Sequence, residues 1–243
     1  CVIDVLGVEE KVADLLQGQV TSDINKISVN GFQLSSICNH KGLVMADFII
    51  NRSSKGFSFI VKNSISSTLL SELAPFAKFN SVTFEENSSK VIGMISNENE
   101  KLKEFAKNDH FSTYVYISNK ETESNSYISI ENWEAGNKIL GNYFLESNDI
   151  GKFRPLELNY DKLRVSFDKG CYRGQEIVAR MKYLGIDRRS FLTFITTSEY
   201  DANENIKIVG KQIEIDDKLV FNAIVKKDLI PDIQKYPQVL KII

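Results

Sequence analysis

Lys169-Gly170-Cys171-Tyr172-Arg173-Gly174-Gln175-Glu176-Ile177-Val178-Ala179-Arg180 is the stretch on which the reading of this chain turns. Its second half has a helical period. Ile177, Val178 and Met181 line one side of a predicted helix over residues 174–184, and Gly185 closes it. Cys171 stands just before that helix, where free backbone amides and the helix dipole favour a thiolate, and Lys169 and Arg173 add positive charge. Gly170 and Gly174 permit a positive φ or a close backbone approach. A reactive or ligand-contacting cysteine needs these features. A small cysteine buried in a tight turn meets the same description. The chemistry of the segment alone leaves the two readings level.

The rest of the sequence offers that cysteine no obvious catalytic partner. The three cysteines (Cys1, Cys38, Cys171) and two histidines (His40, His110) form no triad by spacing and no metal-ligand motif, so no metal site is expected. An odd, sparse cysteine count fits a reducing compartment. There is no G-x-S-x-G elbow, no Walker A loop and no G-x-G-x-x-G fingerprint. Apolar runs such as 48–50 and 191–195 are far shorter than the roughly 18 residues of a spanning helix. No basic segment followed by a long apolar core opens the sequence. The expected setting is cytoplasmic, with no membrane partner.

Charge is unevenly spread along the chain. Six of the seven arginines lie between Arg154 and Arg189. From Lys152 to Arg189 there are ten basic and five acidic groups, a local +5 that leaves −7 for the remainder of a chain of net charge −2. Guanidinium forks suit carboxylate or phosphate recognition, so an anionic ligand at this stretch is one reading and internal pairing with the acidic remainder is the other. Direct nucleic-acid binding is not expected, because the other segments are acidic and no aromatic-rich recognition motif accompanies the patch.

Hydrophobic period places the other elements. Val8, Val12, Leu15 and Leu16 predict a helix over 8–17 ended by Gly18, and residues 21–23 turn or cap. Strands are read over 34–38 and 43–50 around the turn 39–42, and another over 57–61. A helix follows over 64–73. Short strands are read over 82–84, 91–95 and 111–117, with a charged helix over 97–108 and a turn over 118–126. Residues 127–130 extend, and 156–164 are irregular. The tail changes to short strands over 191–195, 205–209, 212–215 and 219–225. The expectation is an α+β chain, with a body over 1–186 of two subdomains and a small β-barrel domain over 187–243.

The segment 169–180 resembles the signature of the YgfZ family, which belongs to a folate-binding superfamily built like the glycine-cleavage T-protein. The signature leaves the position of Arg173 open. A second resemblance is Leu16-Gln17-Gly18-Gln19-Val20-Thr21-Ser22-Asp23, followed as in the family by a strand, a Lys-Gly turn and another strand. Tyr183-Leu184-Gly185 and Arg188-Arg189 resemble the continuation. The matches recur in order over about residues 5–195. The resemblance implies a T-protein-like body around a folate-sized opening, tetrahydrofolate or a derivative as cofactor, and a monomer. It further implies a role in maintaining iron–sulfur client enzymes, with an indirect effect on tRNA modification and a redox partner. Cys171 becomes the candidate catalytic residue. Glu134 and Trp133 stand where the superfamily contacts the pterin, although the arginine of its Arg-x-Glu-x-Gly pattern is missing here, and Lys169, Tyr172, Arg173 and Arg180 complete the candidate cofactor-binding set.

Each assignment has a plainer counterpart. Glu134 can be a solvated carboxylate at a helix start, Trp133 a cover of the core, Tyr172 a core aromatic and Glu176 a cap. Asp23 reads as a turn-forming cap or a pocket wall, and Asp47 as an edge residue or a pocket carboxylate. Two other functions compete: an aminomethyltransferase of the glycine cleavage system, and an RNA-interaction protein using the basic stretch 152–189.

Overall fold

A computed structural model describes residues 1–97, 106–118, 128–185 and 188–243. In chain order the elements are β1 (Val2–Leu6), α1 (Glu9–Gln19), β2 (Gly31–Cys38), β3 (Val44–Ser53), β4 (Gly56–Ile60), α2 (Asn63–Asn80), β5 (Thr83–Asn87), β6 (Lys90–Ser96), β7 (Ala106–Lys107) and β8 (Ser112–Ser118). They continue with α3 (Ile130–Ile139), α4 (Gln175–Leu184), β9 (Arg189–Thr196), β10 (Ile206–Ile215), β11 (Lys218–Lys226), α5 (Ile230–Ile233) and β12 (Val239–Ile242). The α+β character read from sequence holds. The chain forms two compact units, Cys1–Lys90 with Phe144–Gly185, and Val91–Tyr143 with Ile186–Ile243. The stretch Val91–Tyr143, read from sequence with the body, lies in the compact unit of the C-terminal strands.

The first unit is built on an antiparallel sheet of order β2-β3-β4-β1-β5. Helix α1 buries Val12, Leu15 and Leu16, and Glu9 and Glu10 in its first turn complement the helix dipole. It runs through Gly18 to Gln19, and Val20 still donates to the Leu16 carbonyl at 2.9 Å. The reason is tertiary: Val20 is fully buried and bridges to Ile37 of β2, which holds the last turn in place. Helix α2 likewise outruns its sequence expectation, passing Pro75 and ending at Asn80. Ile65, Leu69, Leu73 and Ala77 form a buried stripe at four-residue spacing that continues beyond the proline. Each fully buried Leu or Ile of such a stripe contributes roughly 1.5–3 kcal/mol.

The second unit contains a three-stranded sheet, β6-β8-β7, and a four-stranded antiparallel sheet, β10-β11-β9-β12. The β-barrel expected over 187–243 is not formed. The four-stranded sheet is open, with β10 and β12 at its edges. A barrel buries one sheet face by closing it on itself, whereas here both faces are covered from outside. Ala135 of α3 packs with Ile213 and Val220 on one face, while Phe194, Phe221, Ala223 and Val225 pack with Tyr200 and Ile233 on the other. The two runs read at 205–209 and 212–215 are the single strand β10, interrupted by a register shift between Val209 and Ile213. Gly210 lies in that shift with a φ of 68°, and its missing side chain admits the Tyr143 ring.

Strands β1 and β12 have no counterpart in the sequence reading. Ile130, expected to extend, begins α3 because Ser129 caps it, its hydroxyl accepting from Asn132 N at 3.1 Å. The helix expected over 97–108 falls mostly outside the described residues, and its final part, Ala106–Lys107, is a strand. The turn over 118–126 also falls outside them, except for Ser118 in β8. No described helix is long and apolar enough to cross a membrane.

Gly93 of β6 tests this packing. A Cβ there would lie 2.7–2.9 Å from the Trp133 indole, which donates from Nε1 to the Tyr114 carbonyl at 3.3 Å. Gly93→Ala is expected to push the indole outward, costing about 1–3 kcal/mol. Trp133 is the only tryptophan, so a red-shifted emission and an earlier urea midpoint report the change directly. Unaltered emission would contradict the packing.

Candidate functional site

Three segments far apart in sequence come together in the first unit: 16–23, 39–42 and 169–177. The first is organised by its own side chains. Asp23 Oδ1 accepts from Asn25 N at 3.2 Å and from Gln17 Nε2 at 3.0 Å, and Gln17 Oε1 accepts from Ile24 N at 3.1 Å. Asp23 is therefore the cap of the short 3-10 turn Ile24–Lys26. Thr21 and Ser22 tie the segment to β2: Thr21 N donates to the Ser36 carbonyl at 2.9 Å, and the Ser22 hydroxyl donates to the Ser35 hydroxyl at 2.8 Å.

The turn 39–42 and the start of α4 meet through glycines. Asn39 Oδ1 accepts from Lys41 N and Leu43 N at 2.9 and 3.1 Å, holding the turn closed. Gly42 and Gly174 adopt φ of 69° and 83°, a region that side chains disfavour. A Cβ on Gly174 would stand 2.5 Å from the Asn39 carbonyl oxygen and 3.2 Å from Gly42 Cα, and a Cβ on Gly42 would stand 3.0 Å from Ile177 Cβ. The two backbones thus touch where neither can carry a side chain.

Lys169 joins the first segment to the third. Its Nζ donates to the carbonyls of Val20 at 2.7 Å and Ser22 at 2.9 Å, and burial lowers its pKa to about 8. Tyr172 is buried, with the Lys169 ammonium 5.2 Å from its ring centre, and burial pushes its phenol up. Arg173 Nη1 pairs with Glu72 Oε2 of α2 at 2.9 Å, and its guanidinium lies 5.4 Å from the Phe76 ring. Cys38 is buried beside Gly174, its thiol pushed up to about 12 by burial. Cys171 is exposed, three residues before Gly174, the N-cap of α4. Arg180 lies on the exposed face of α4, paired with Glu176 Oε1 at 3.0 Å.

Asp47 resolves as neither an edge residue nor a free pocket carboxylate. It is buried in β3 and accepts from Leu145 N at 3.1 Å, from the Tyr160 hydroxyl at 2.9 Å and from Arg164 Nη2 at 3.4 Å. The Arg164 guanidinium lies 4.9 Å from the Phe144 ring and 4.6 Å from the Tyr160 ring. Burial and the neighbouring carboxylate push the Tyr160 phenol well above its ordinary range. Sequence reasoning missed this cluster because its members are 98 to 117 residues from Asp47. No spacing signal spans such a gap.

Glu134 and Trp133 belong to the second unit. Glu134 Oε2 pairs with Lys211 Nζ of β10 at 2.9 Å. Trp133 packs on Gly93, as described above, and so covers the β6-β8-β7 sheet. Among the described residues no three His, Cys, Asp or Glu side chains come together in a group that could hold a metal ion.

No protein-family model matches the chain. An uncharacterized protein of Haemophilus influenzae is 29% identical, over 82% of this chain and 71% of its own. The tRNA-modifying protein YgfZ of Escherichia coli (strain SE11) is 25% identical over 89% of this chain and 81% of its own. Its namesake from Buchnera aphidicola is 27% identical over 85% and 73%. Among solved structures, the glycine cleavage system aminomethyltransferase T of Bartonella henselae superposes with a TM-score of 0.65 over 93% of this chain and 75% of that one, at 13% identity. That likeness establishes a T-protein-like fold.

Two outcomes are expected of this site. Asp47→Ala strands a buried guanidinium and phenol and should cost about 3–5 kcal/mol in urea denaturation; a loss below 1 kcal/mol would mean the cluster is solvated. Lys169 titrates near 8 when folded and near the ordinary 10.5 when unfolded. Between those values the unfolded chain binds more protons, so the native state gains stability as pH rises. The stability of the native chain relative to Lys169→Met, measured by urea titration, should therefore grow from pH 8 to 10.5. A flat or falling difference would contradict the buried amine.

Proposed function

The chain belongs to the YgfZ family, and from that premise we propose that it is a folate-dependent accessory protein for the maturation or repair of iron–sulfur enzymes, acting on tRNA modification only through such clients. The observation that carries this reading is the convergence of its three family-like segments in one unit, locked by the contact of Gly174 with the turn 39–42. The iron–sulfur cluster belongs to the client. A cytoplasmic monomer with a redox partner completes the proposal.

The residues present fit a reduced folate. Folate presents acceptor oxygens at its carboxylates and a pterin ring with amide and amino donors. In the first unit, the buried Tyr172 hydroxyl and Arg173 Nε and Nη2 have no hydrogen-bond partner among the described residues, and they are donors suited to such oxygens. In the second unit, taken by itself, the Glu134 carboxylate is a separate candidate for pterin donors, and its pair with Lys211 at 2.9 Å orients it. Trp133 supports Glu134 through its place on the sheet. Bound tetrahydrofolate supplies a reduced pterin able to carry a one-carbon unit.

The other candidates take different parts. Lys169 is a positioning residue, since its ammonium holds the Val20 and Ser22 carbonyls and so fixes the loop that carries Cys171. Arg180 offers a solvent-facing cation to a ligand or client. Cys171, exposed on a loop anchored at both ends, is assigned the contact with a redox partner or transferred group. The RNA reading is weakened because Arg164, Arg173 and Arg180 are paired with carboxylates of this chain.

Anaerobic calorimetric titration with tetrahydrofolate tests the reading. Saturable binding is expected, and Glu134→Ala should weaken it about tenfold, roughly 1.4 kcal/mol. Absence of binding to reduced mono- and polyglutamylated folates would overturn the folate role. One-carbon transfer from an aminomethylated carrier protein would instead make the chain an aminomethyltransferase.

A further inference from the structure

Arg173 occupies the position that the family-like signature leaves open. Its guanidinium is only partly employed. Nη1 meets Glu72 Oε2 at 2.9 Å, while Nε and Nη2 are buried and have no hydrogen-bond partner among the described residues. These two nitrogens form the side-on edge of a guanidinium, where two N–H bonds run parallel and match the two oxygens of a carboxylate. The adjacent Tyr172 is 6% exposed, and its hydroxyl is also buried without a partner among the described residues. Tyr172 and Arg173 are consecutive residues of one loop. Buried donors in folded proteins almost always have acceptors, and three orphans on successive residues of one loop call for an external one.

We propose that the side-on edge of Arg173, with the Tyr172 hydroxyl, is a carboxylate-recognition site that takes a carboxylate of the bound folate's glutamate portion. This rests on the folate reading above and adds to it which end of the ligand the cysteine loop meets. Glu72 offsets the Arg173 charge and Asp23 that of Lys169, so a bound carboxylate is held by the parallel N–H bonds of the free edge and not by surplus charge. Both orphan groups are closed to water, so the ligand reaches them by displacing their cover. In the ligand-free chain the loop carries the cost of three unmet donors, and a carboxylate relieves it.

The experiment compares tetrahydrofolate with its glutamate bis-amide, which keeps the skeleton and carries no carboxylate, by calorimetry on the native chain, Arg173→Lys and Tyr172→Phe. The native chain should prefer tetrahydrofolate by roughly tenfold or more, as expected of charge-assisted hydrogen bonds. Arg173→Lys keeps a cation for Glu72 but loses the fork, and should abolish most of that preference. Tyr172→Phe should weaken tetrahydrofolate binding several-fold, while the melting temperature of the ligand-free protein stays level or rises, because the hydroxyl removed had no partner. That opposition is what a purely structural tyrosine would not produce. Equal affinity of the native chain for both compounds would overturn the inference and leave the folate reading standing. A lower ligand-free melting temperature in Tyr172→Phe would overturn it too, by revealing a partner for the hydroxyl. Binding of neither compound would remove the folate reading and the inference with it. Should Arg173→Lys fail to fold, the ligand comparison on the native chain and the Tyr172→Phe pair still decide the matter.

Discussion

The contact between Gly174 and the turn 39–42 is the constraint on which the first unit depends. At 2.5 Å from the Asn39 carbonyl oxygen there is no room for a Cβ, and a φ of 83° would strain any side chain placed there. The approach of the two backbones lets Ile177 settle on Gly42 and puts Cys38 beneath the loop. With the loop pinned at Gly174, Lys169 five residues earlier reaches the carbonyls of Val20 and Ser22. Three stretches of chain thereby become one rigid platform, and the exposed Cys171 is carried on it between two anchors.

Charge is organised around the same platform. The excess of arginine between residues 152 and 189 looks on paper like a basic stripe. Folded, Arg164 is consumed by Asp47 in the core, Arg173 reaches Glu72 of α2, and Arg180 meets Glu176 one turn away. The three pairs differ in kind. The Asp47–Arg164 pair is buried and hydrogen-bonded, so losing one partner leaves a stranded charge. The Arg180–Glu176 pair is exposed and contributes little to stability. Arg173 stands between these, tied to Glu72 at Nη1 and unmatched at Nε and Nη2 among the described residues.

The second unit shows how an expected barrel becomes an open sheet. Strand β11 is buried along nearly its whole length, the pattern of a strand covered on both faces. Helix α3 covers one face and the Tyr200–Ile233 layer covers the other. Trp133 and Glu134, neighbours on α3, are thereby divided between two jobs: one packs on Gly93 and the other pairs with Lys211.

What the sequence by itself determined was local and periodic. Helices α1 and α4 were legible because their apolar residues repeat on one face, strands β2 to β4 because theirs alternate around a turn rich in Asn and Gly, and the family resemblance because its motifs are contiguous. Asp23 as a cap was legible for the same reason, its partners lying within a few residues. Only the tertiary structure decided that α1 would run through Gly18 and α2 through Pro75. In both, buried contacts outweigh the local preference to stop. It alone matched Asp47 to Arg164 across 117 positions and Lys169 to Val20 across 149, and covered a sheet instead of closing it. Such pairings depend on which surfaces meet after folding, and neither period nor propensity encodes the partner of a buried charge.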